Sequence, residues 1–310
     1  MQRIDLSERR LTQITADVFT RIDIEEIEEL DLDGNCLAEL PAAIGELANL
    51  RTLRVDRNRL ASVTPALSKL VQLENVSLFD NQLTIFPDCL RQLRQLRSLN
   101  VSQNRLCEDP GDLSALTNLH TLDLGHNALT AIPDSLGDLK NLSRFLYLSD
   151  NRFTEVPASL GRLAGLAYLN ITHNQLTSLP ESLGGLASLR ELRLYHNSLT
   201  TLPDSFGGLT QLRELHLQEN RIIRLPESLG HLGSLRILDL RNNALSDLPE
   251  SFARLSNLGH LDLRTNRFTI VPEFLALLPR LEKLDLRWNR LRPVPSWIER
   301  LEERGCSVLL

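Results

Sequence analysis

Several features that usually accompany a defined chemistry are scarce in this sequence. Of its 310 residues only Lys69, Lys140 and Lys283 are lysines, and the formal net charge is −6. Binding to a phosphate backbone needs a basic face, so this charge balance predicts that nucleic acid is not a partner. The shortage of lysine beside abundant arginine and leucine is typical of GC-rich genomes and favours a bacterial source.

Cysteine is also scarce, and long apolar runs are missing. Cys36, Cys89, Cys107 and Cys306 show neither C-x-x-C pairing nor metal-ligand spacing, which favours free thiols in a reducing compartment. The first residues, MQRIDLSERR, lack the apolar stretch of a signal peptide. No segment offers the roughly 20 apolar residues that span a bilayer. These absences predict a cytoplasmic protein without membrane insertion.

An internal repeat is the dominant feature of the sequence. Asparagines recur every 23 residues with a single step of 24, at Asn35, Asn58, Asn81, Asn104, Asn127, Asn151, Asn174, Asn197, Asn220, Asn243, Asn266 and Asn289. Around each lies L-x-x-L-x-L-x-x-N-x-L, usually followed by x-x-L-P-x-x-L-x-x-L, as in LRELRLYHNSLTTLPDSFGGLTQ at 189–211. A fixed period of this length indicates a solenoid, in which each repeat packs on its neighbours.

The residue types predict what each repeat does. The L-x-L segment alternates with a period of two residues, which is typical of a strand with one buried face. Proline ends that pattern and opens a short helical turn, and the acid that often follows it suits the turn's positive end. The asparagine carboxamide has two donors and an acceptor, so we expect it to satisfy backbone groups of its own and a neighbouring repeat.

This pattern resembles the leucine-rich-repeat family, in its 23-residue typical or Ras-suppressor-like class. The resemblance implies an α/β fold: a right-handed, curved solenoid with a parallel sheet on the concave face and short helices or turns on the convex face. We expect an N-terminal cap with a divergent first repeat at 1–26, twelve repeats at 27–295 and a C-terminal cap at 296–310. In the caps, TADVFTRI (15–22) predicts a helix, and 296–310 predicts a helix ending at Gly305 followed by a strand.

Two patterns resemble chemical sites and are interpreted otherwise. P-x-S-x-G, as in PESLG at 180–184, lacks the first glycine of a serine nucleophile elbow and recurs in several repeats. His173 and His196 occupy the same slot of adjacent repeats, between Asp150 and Glu219. Such a row could place the two imidazoles within reach of one divalent metal. A solvated polar ladder is the preferred interpretation. We therefore predict no catalytic residue, no metal and no cofactor.

The residues before, between and after the strand leucines should face the concavity. In the middle of the chain these slots are aromatic, imidazole-bearing or arginine, which are types enriched at binding hot spots. The predicted partner-binding residues are Phe145, Tyr147, Tyr168, His173, Arg193, Tyr195, His196 and His216.

The single 24-residue step falls beside this set, in LSRFLYLSDN at 142–151. Its surplus residue precedes the strand, so Leu146 and Leu148 can keep their inward positions and Asn151 its place in the series. A bulge there would preserve the core and redirect the chain before the strand.

The sequence therefore predicts a non-enzymatic interaction module that binds a protein or peptide on its concave face. The resemblance implies the same role, because such repeats commonly serve as recognition scaffolds in signalling. The alternative is a target-recognition or regulatory subunit, effector-like, that works with a separate kinase, GTPase or ubiquitin ligase. Self-association stays open, and the sequence does not identify the partner.

Overall fold

The L-x-L segments form short parallel strands, most of them three residues long. The computed structural model describes residues 2–15 and 24–310, in two units, Met1–Arg152 and Phe153–Leu310. The strands of the first unit are β1 (Gln2–Asp5), β2 (Ile27–Asp31), β3 (Thr52–Arg54), β4 (Asn75–Ser77), β5 (Ser98–Asn100), β6 (Thr121–Asp123) and β7 (Phe145–Tyr147). Those of the second unit are β8 (Tyr168–Asn170), β9 (Glu191–Arg193), β10 (Glu214–His216), β11 (Ile237–Asp239), β12 (His260–Asp262), β13 (Lys283–Asp285) and β14 (Ser307–Leu309).

Within each unit, every strand pairs in parallel with the strand of the next repeat. In the second unit Leu192, Leu215 and Leu238 lie opposite one another in register, and all three are buried. The residues that flank these leucines are partly exposed. One side of the sheet therefore packs on the core, while the other, which we call the strand face, carries the flanking side chains.

Short 3₁₀ helices cover the opposite side of the core. In the first unit they span Ile24–Glu26, Ala42–Glu46, Pro65–Lys69, Asp88–Gln92 and Asp134–Asp138. In the second they span Ala158–Arg162, Glu181–Gly185, Asp204–Gly208, Glu227–His231, Glu250–Arg254 and Glu273–Leu277. A proline holds the N-cap position of most of them, as Pro180 and Pro203 do. The prediction of a parallel sheet with short helices or turns opposite is confirmed.

The acid that follows the proline contacts the next repeat. The carboxylate of Glu181 accepts hydrogen bonds from the backbone N–H groups of Ser205, at 2.9 Å, and of Asp204, at 3.3 Å. The bond from Ser205 lowers the pKa of Glu181. Glu227 accepts from the N–H of Ser251 in the same way. These acids therefore satisfy free donors at the start of the following 3₁₀ helix.

The repeated asparagines join successive repeats through the core. Asn197 donates to the carbonyl of Ile171 in the preceding repeat, at 2.9 Å, and to that of Leu194, at 3.0 Å. Its carbonyl oxygen accepts from the backbone N–H of Leu176 at 3.0 Å. Asn58 makes the same three kinds of contact in the first unit. The expectation that the asparagines satisfy backbone groups of two repeats is confirmed.

The extra residue of the 24-residue repeat does not disturb β7. Leu146 lies opposite Leu122 of β6, and the register is continuous over all three residues of the strand. Leu142, Leu146 and Leu148 are fully buried. The chain bends at Arg144, directly before the strand. The extra residue is therefore taken up in the approach to the strand, without a bulge in the β6–β7 pairing.

The C-terminal segment contains α1 (Ile298–Glu303), after which Gly305 adopts a φ of +86° and β14 pairs in parallel with β13. Except for Thr15, the N-terminal segment predicted as a capping helix, 15–22, lies outside the described residues. The capping roles and the domain boundaries stay predictions. No helix among the described residues has the length and apolar character to span a membrane.

Candidate partner-binding surface

The structure places the eight predicted binding residues on strands or directly after them, in both units. Phe145 and Tyr147 belong to β7 in the first unit. The second unit contains the other six, Tyr168, His173, Arg193, Tyr195, His196 and His216. Each group is described within its own unit.

Phe145 and Tyr147 form a stacked pair on the strand face of the first unit. They flank the buried Leu146, so the alternation of the strand turns both rings outward. Their ring centroids are 5.9 Å apart with an interplanar angle of 15°. Phe145 is 42% exposed, which leaves a large apolar ring accessible to solvent.

His173 and His196 occupy corresponding positions of adjacent repeats in the second unit. Each directly precedes one of the repeated asparagines, Asn174 or Asn197, and both have left-handed backbones, with φ of +53° and +52°. Their rings stack with centroids 4.2 Å apart. Tyr195 meets the two rings edge-on, at centroid distances of 5.4 Å and 5.6 Å. The three rings form one contiguous surface, which we call the His–Tyr cluster.

A carboxylate of the next repeat fixes one ring of the His–Tyr cluster. Nδ1 of His196 lies 2.8 Å from Oε2 of Glu219, close enough for the imidazole to donate a hydrogen bond. About two-fifths of each side chain is exposed, at 39% and 37%. The contact orients His196 while leaving its ring face on the stack with His173.

Tyr168 and Arg193 lie beside the His–Tyr cluster. The guanidinium carbon of Arg193 is 5.7 Å from the centre of the Tyr168 ring, within range of a cation–π interaction. Nε of Arg193 also donates to Oε1 of Glu191 in the same strand. Burial lowers the pKa of Arg193, but the bond to Glu191 and neighbouring groups raise it by more. Arg193 therefore stays charged beside the tyrosine ring.

His216 is separate from the ring contacts found among the described residues. Its Nε2 lies 3.2 Å from Oε2 of Glu214, two residues earlier on β10, and its side chain is only 18% exposed. Sequence reasoning missed both Glu214 and Glu191. The signal was present, because both occupy the same strand slot as Tyr168, but their side-chain partners depend on the pairing of β9 with β10.

Farther along the second unit, the strand face carries paired charges. Asp262 is bonded to Arg264 at 2.5 Å, Asp285 to Arg287 at 2.7 Å, and Arg264 also reaches Asp285 at 3.3 Å. The guanidinium of Arg287 lies over the ring of Trp288, which is 68% exposed. These acids and arginines largely neutralise one another, so they offer less unpaired charge to a ligand than their number indicates.

Comparisons with protein families agree with the repeat architecture. A family described as "Leucine-rich repeat region" matches residues 134–221 and 204–303. Two others, both described as leucine-rich repeat, match 48–106 and 118–139. No curated protein sequence matches the chain significantly.

Solved structures give a similar result. A leucine-rich-repeat protein of Leptospira interrogans is 32% identical, with 97% of this chain and 82% of that one covered and a TM-score of 0.80. An internalin from Listeria monocytogenes is 22% identical, with 99% and 86% covered and a TM-score of 0.82, which shows the fold alone. The ectodomain of the Arabidopsis thaliana receptor kinase GASSHO1/SCHENGEN3, in complex with Casparian strip integrity factor 2, is 28% identical, with 96% and 42% covered and a TM-score of 0.57.

The matches to the repeat families and the 32% identity to the Leptospira protein over 97% of this chain agree with the repeated asparagines and the parallel strands. The chain belongs to the leucine-rich-repeat family.

Proposed function

We propose that this chain is a non-enzymatic interaction module that binds a protein or peptide on its strand face. The observation that carries the proposal is the His–Tyr cluster with Tyr168 and Arg193 beside it. These rings lie on the strand face, which is the side of the sheet away from the core of their unit, and His173 is exposed. Tyrosine and arginine at such positions are typical binding anchors.

The contacts among these residues favour binding because they order the side chains beforehand. His173 stacks on His196, His196 is bonded to Glu219, and Arg193 is held by Glu191. Association with a partner then costs less free energy, because each flexible side chain that must be immobilised costs about 0.5–1.5 kcal/mol. The Phe145–Tyr147 pair of the first unit is a second candidate anchor of the same kind.

A relative supports a role in binding. The Arabidopsis receptor-kinase ectodomain was solved in complex with Casparian strip integrity factor 2, so leucine-rich repeats of related sequence do hold a ligand. This chain spans 42% of that ectodomain.

The test compares two double variants of the full chain as baits in the organism that encodes it. Tyr168→Ala with Tyr195→Ala removes two anchors of the second unit. Glu29→Ala with Asn75→Ala changes one half-buried and one exposed polar position on the strand face of the first unit. Partners identified by mass spectrometry are then purified and titrated. We expect the tyrosine variant to bind at least ~10-fold more weakly and the control to bind normally. Full affinity of a correctly folded tyrosine variant would rule the cluster out.

A second candidate function is target recognition on behalf of a separate enzyme, such as a kinase, GTPase or ubiquitin ligase. The combination of repeats with a receptor kinase in the Arabidopsis relative motivates it. The same purification distinguishes the two functions. An enzyme that is recovered stoichiometrically, and that still binds the tyrosine variant, would favour the role of a regulatory subunit. In that case the His–Tyr cluster would be available to bind the target.

A further inference from the structure

Three metal-ligating side chains meet on the strand face of the second unit. Glu191 lies on β9, and Glu214 and His216 lie on β10. One ligand atom from each is within 4.8 Å of the other two, and all three residues are half-buried. No other group of this kind occurs among the described residues.

The pairing of the two strands brings these side chains together. Glu191 is directly opposite Glu214 in the parallel register, and Leu192 is opposite Leu215. Glu214 and His216 are two residues apart on one strand, so both point to the strand face while Leu215 points to the core. The backbone of two core strands therefore sets the positions of all three side chains.

The charges of the group are not balanced by protein side chains alone. Two carboxylates directly opposite each other on neighbouring strands repel. Arg193 bonds to Oε1 of Glu191 and provides one positive charge, while Glu214 has the imidazole of His216 at 3.2 Å. With a neutral imidazole, two negative charges face one positive charge. A cation between the carboxylates would relieve the repulsion.

We propose that Glu191, Glu214 and His216 bind one divalent transition-metal ion of the zinc type. Two carboxylate oxygens and one imidazole nitrogen form a mixed oxygen and nitrogen ligand set, which suits Zn²⁺ better than Ca²⁺ or Mg²⁺. Zinc bonds of about 2.0–2.2 Å need only small side-chain rotations from the present separations. The fourth position faces solvent, where a water or an atom of a bound ligand completes the coordination.

Neighbouring residues define how this site works. Arg193 donates to Oε1 of Glu191, so its positive charge competes with the metal for that carboxylate. Asp239 of β11 lies opposite His216 in register. A carboxylate next to a ligating imidazole commonly orients it and raises its basicity.

This site differs from the row formed by His173 and His196, which the sequence pattern indicated. His173 and His196 stack on each other, and His196 is already bonded to Glu219. His216 belongs to a strand, whereas His173 and His196 follow strands in left-handed conformations. The metal proposal does not depend on partner binding, and each can fail without the other.

The test uses full-length protein without an affinity tag, treated with chelator and titrated with zinc chloride by calorimetry. Cys107→Ser is the background, because Cys107 is an exposed thiol that can bind zinc. We expect one ion per chain. His216→Ala, Glu214→Gln and Glu191→Gln should each weaken binding at least ~10-fold, and Arg193→Gln should tighten it by removing the competing cation. His260→Ala is the matched control, since His260 is an exposed strand-face histidine near Glu282.

Cobalt provides a second readout, because Co²⁺ in a low-coordinate protein site absorbs visible light. We expect a visible band that zinc abolishes, that His216→Ala eliminates and that His260→Ala preserves. Circular dichroism and thermal melting verify that each variant is folded. No saturable zinc binding, or binding that His216→Ala and Glu214→Gln leave intact in folded protein, would overturn the proposal.

Discussion

Gly161 packs directly on the backbone of Ser182 in the next repeat, so closely that a methyl group on Gly161 would overlap the Ser182 carbonyl oxygen. The same relationship recurs between Gly184 and Ser205. In these repeats the adjacent 3₁₀ helices thus approach each other through a glycine on one side and a serine backbone on the other. Side chains of any size are excluded from that contact.

The first prediction follows from this contact. Gly161→Ala forces two repeats apart and should lower the free energy of unfolding by about 1–3 kcal/mol. Gly233→Ala is the matched control in the same unit, because a Cβ there meets nothing within 4 Å. A methyl group at that open position should be neutral or stabilise by up to about 1 kcal/mol. Urea unfolding midpoints of the two variants measure the difference, and equal midpoints would refute the packing argument.

These glycines explain why the P-x-S-x-G motif recurs. The sequence alone indicated only that the motif is not a nucleophile elbow. Glycine and serine recur because the 3₁₀ helices stack tightly, and each proline holds an N-cap position. The periodic leucines and asparagines were predictable because every repeat places the same residue type at the same position for the same contact. A glycine–serine contact joins two repeats, so a reading of one repeat at a time does not reveal it.

The second prediction concerns the residue before each ladder asparagine. Thr265 and Asn242 occupy this slot with the same left-handed φ of +53°, and both are exposed. A β-branched residue is strained there, whereas asparagine tolerates the conformation. Thr265→Asn should therefore stabilise the protein by about 1 kcal/mol, and Asn242→Thr should destabilise it by a similar amount.

Thermal melting of this reciprocal pair provides its own control, because the two variants exchange the same two residues at equivalent positions. Shifts of opposite sign are expected. Shifts of the same sign would mean that side-chain contacts, and not the backbone conformation, determine stability at this slot.

The third prediction tests the asparagine ladder. Asn197→Ala leaves the carbonyls of Ile171 and Leu194 and the N–H of Leu176 without their partner in a buried environment. Because a buried unsatisfied group costs about 1–3 kcal/mol, we expect a loss of roughly 3 kcal/mol. Asn257 is the control, since it also donates to another repeat, to Gly233, but at an exposed position. Asn257→Ala should cost no more than about 1 kcal/mol by urea unfolding. Equal losses would contradict a special role of burial.

The candidate site was predictable only in part. The amino-acid types at the strand slots placed Tyr168, Tyr195 and the histidines on the exposed surface, because alternation follows from the sequence. Their partners did not follow, since the Arg193–Tyr168 contact and the Glu191–Glu214 apposition depend on which residues of neighbouring strands lie in register. The length of the whole repeat determines the register of neighbouring strands. The neighbours of each side chain determine its rotamer.

The last prediction concerns pH. Burial raises the pKa of Asp123, whose carboxylate accepts from the N–H of Gly125 at 2.9 Å. With a folded-state pKa above the unfolded value, its contribution to stability is fully present below the unfolded pKa and is lost as pH rises through the folded pKa. Asp123→Asn keeps the acceptor without the charge. It should melt at a higher temperature than the parent at pH 7, and the difference should disappear below about pH 4.

Asp112 of the same unit supplies the control of opposite sign. The backbone hydrogen bond from Ser114 lowers its pKa, so its charge stabilises the protein above the unfolded pKa and this contribution is lost as pH falls through the folded pKa. Asp112→Asn should therefore melt at a lower temperature than the parent at pH 7. Melting temperatures of the parent and both variants between pH 3 and pH 8 measure the two effects. A lower melting temperature of Asp123→Asn at pH 7, with Asp112→Asn behaving as expected, would show that the negative charge of Asp123 stabilises the fold despite its burial.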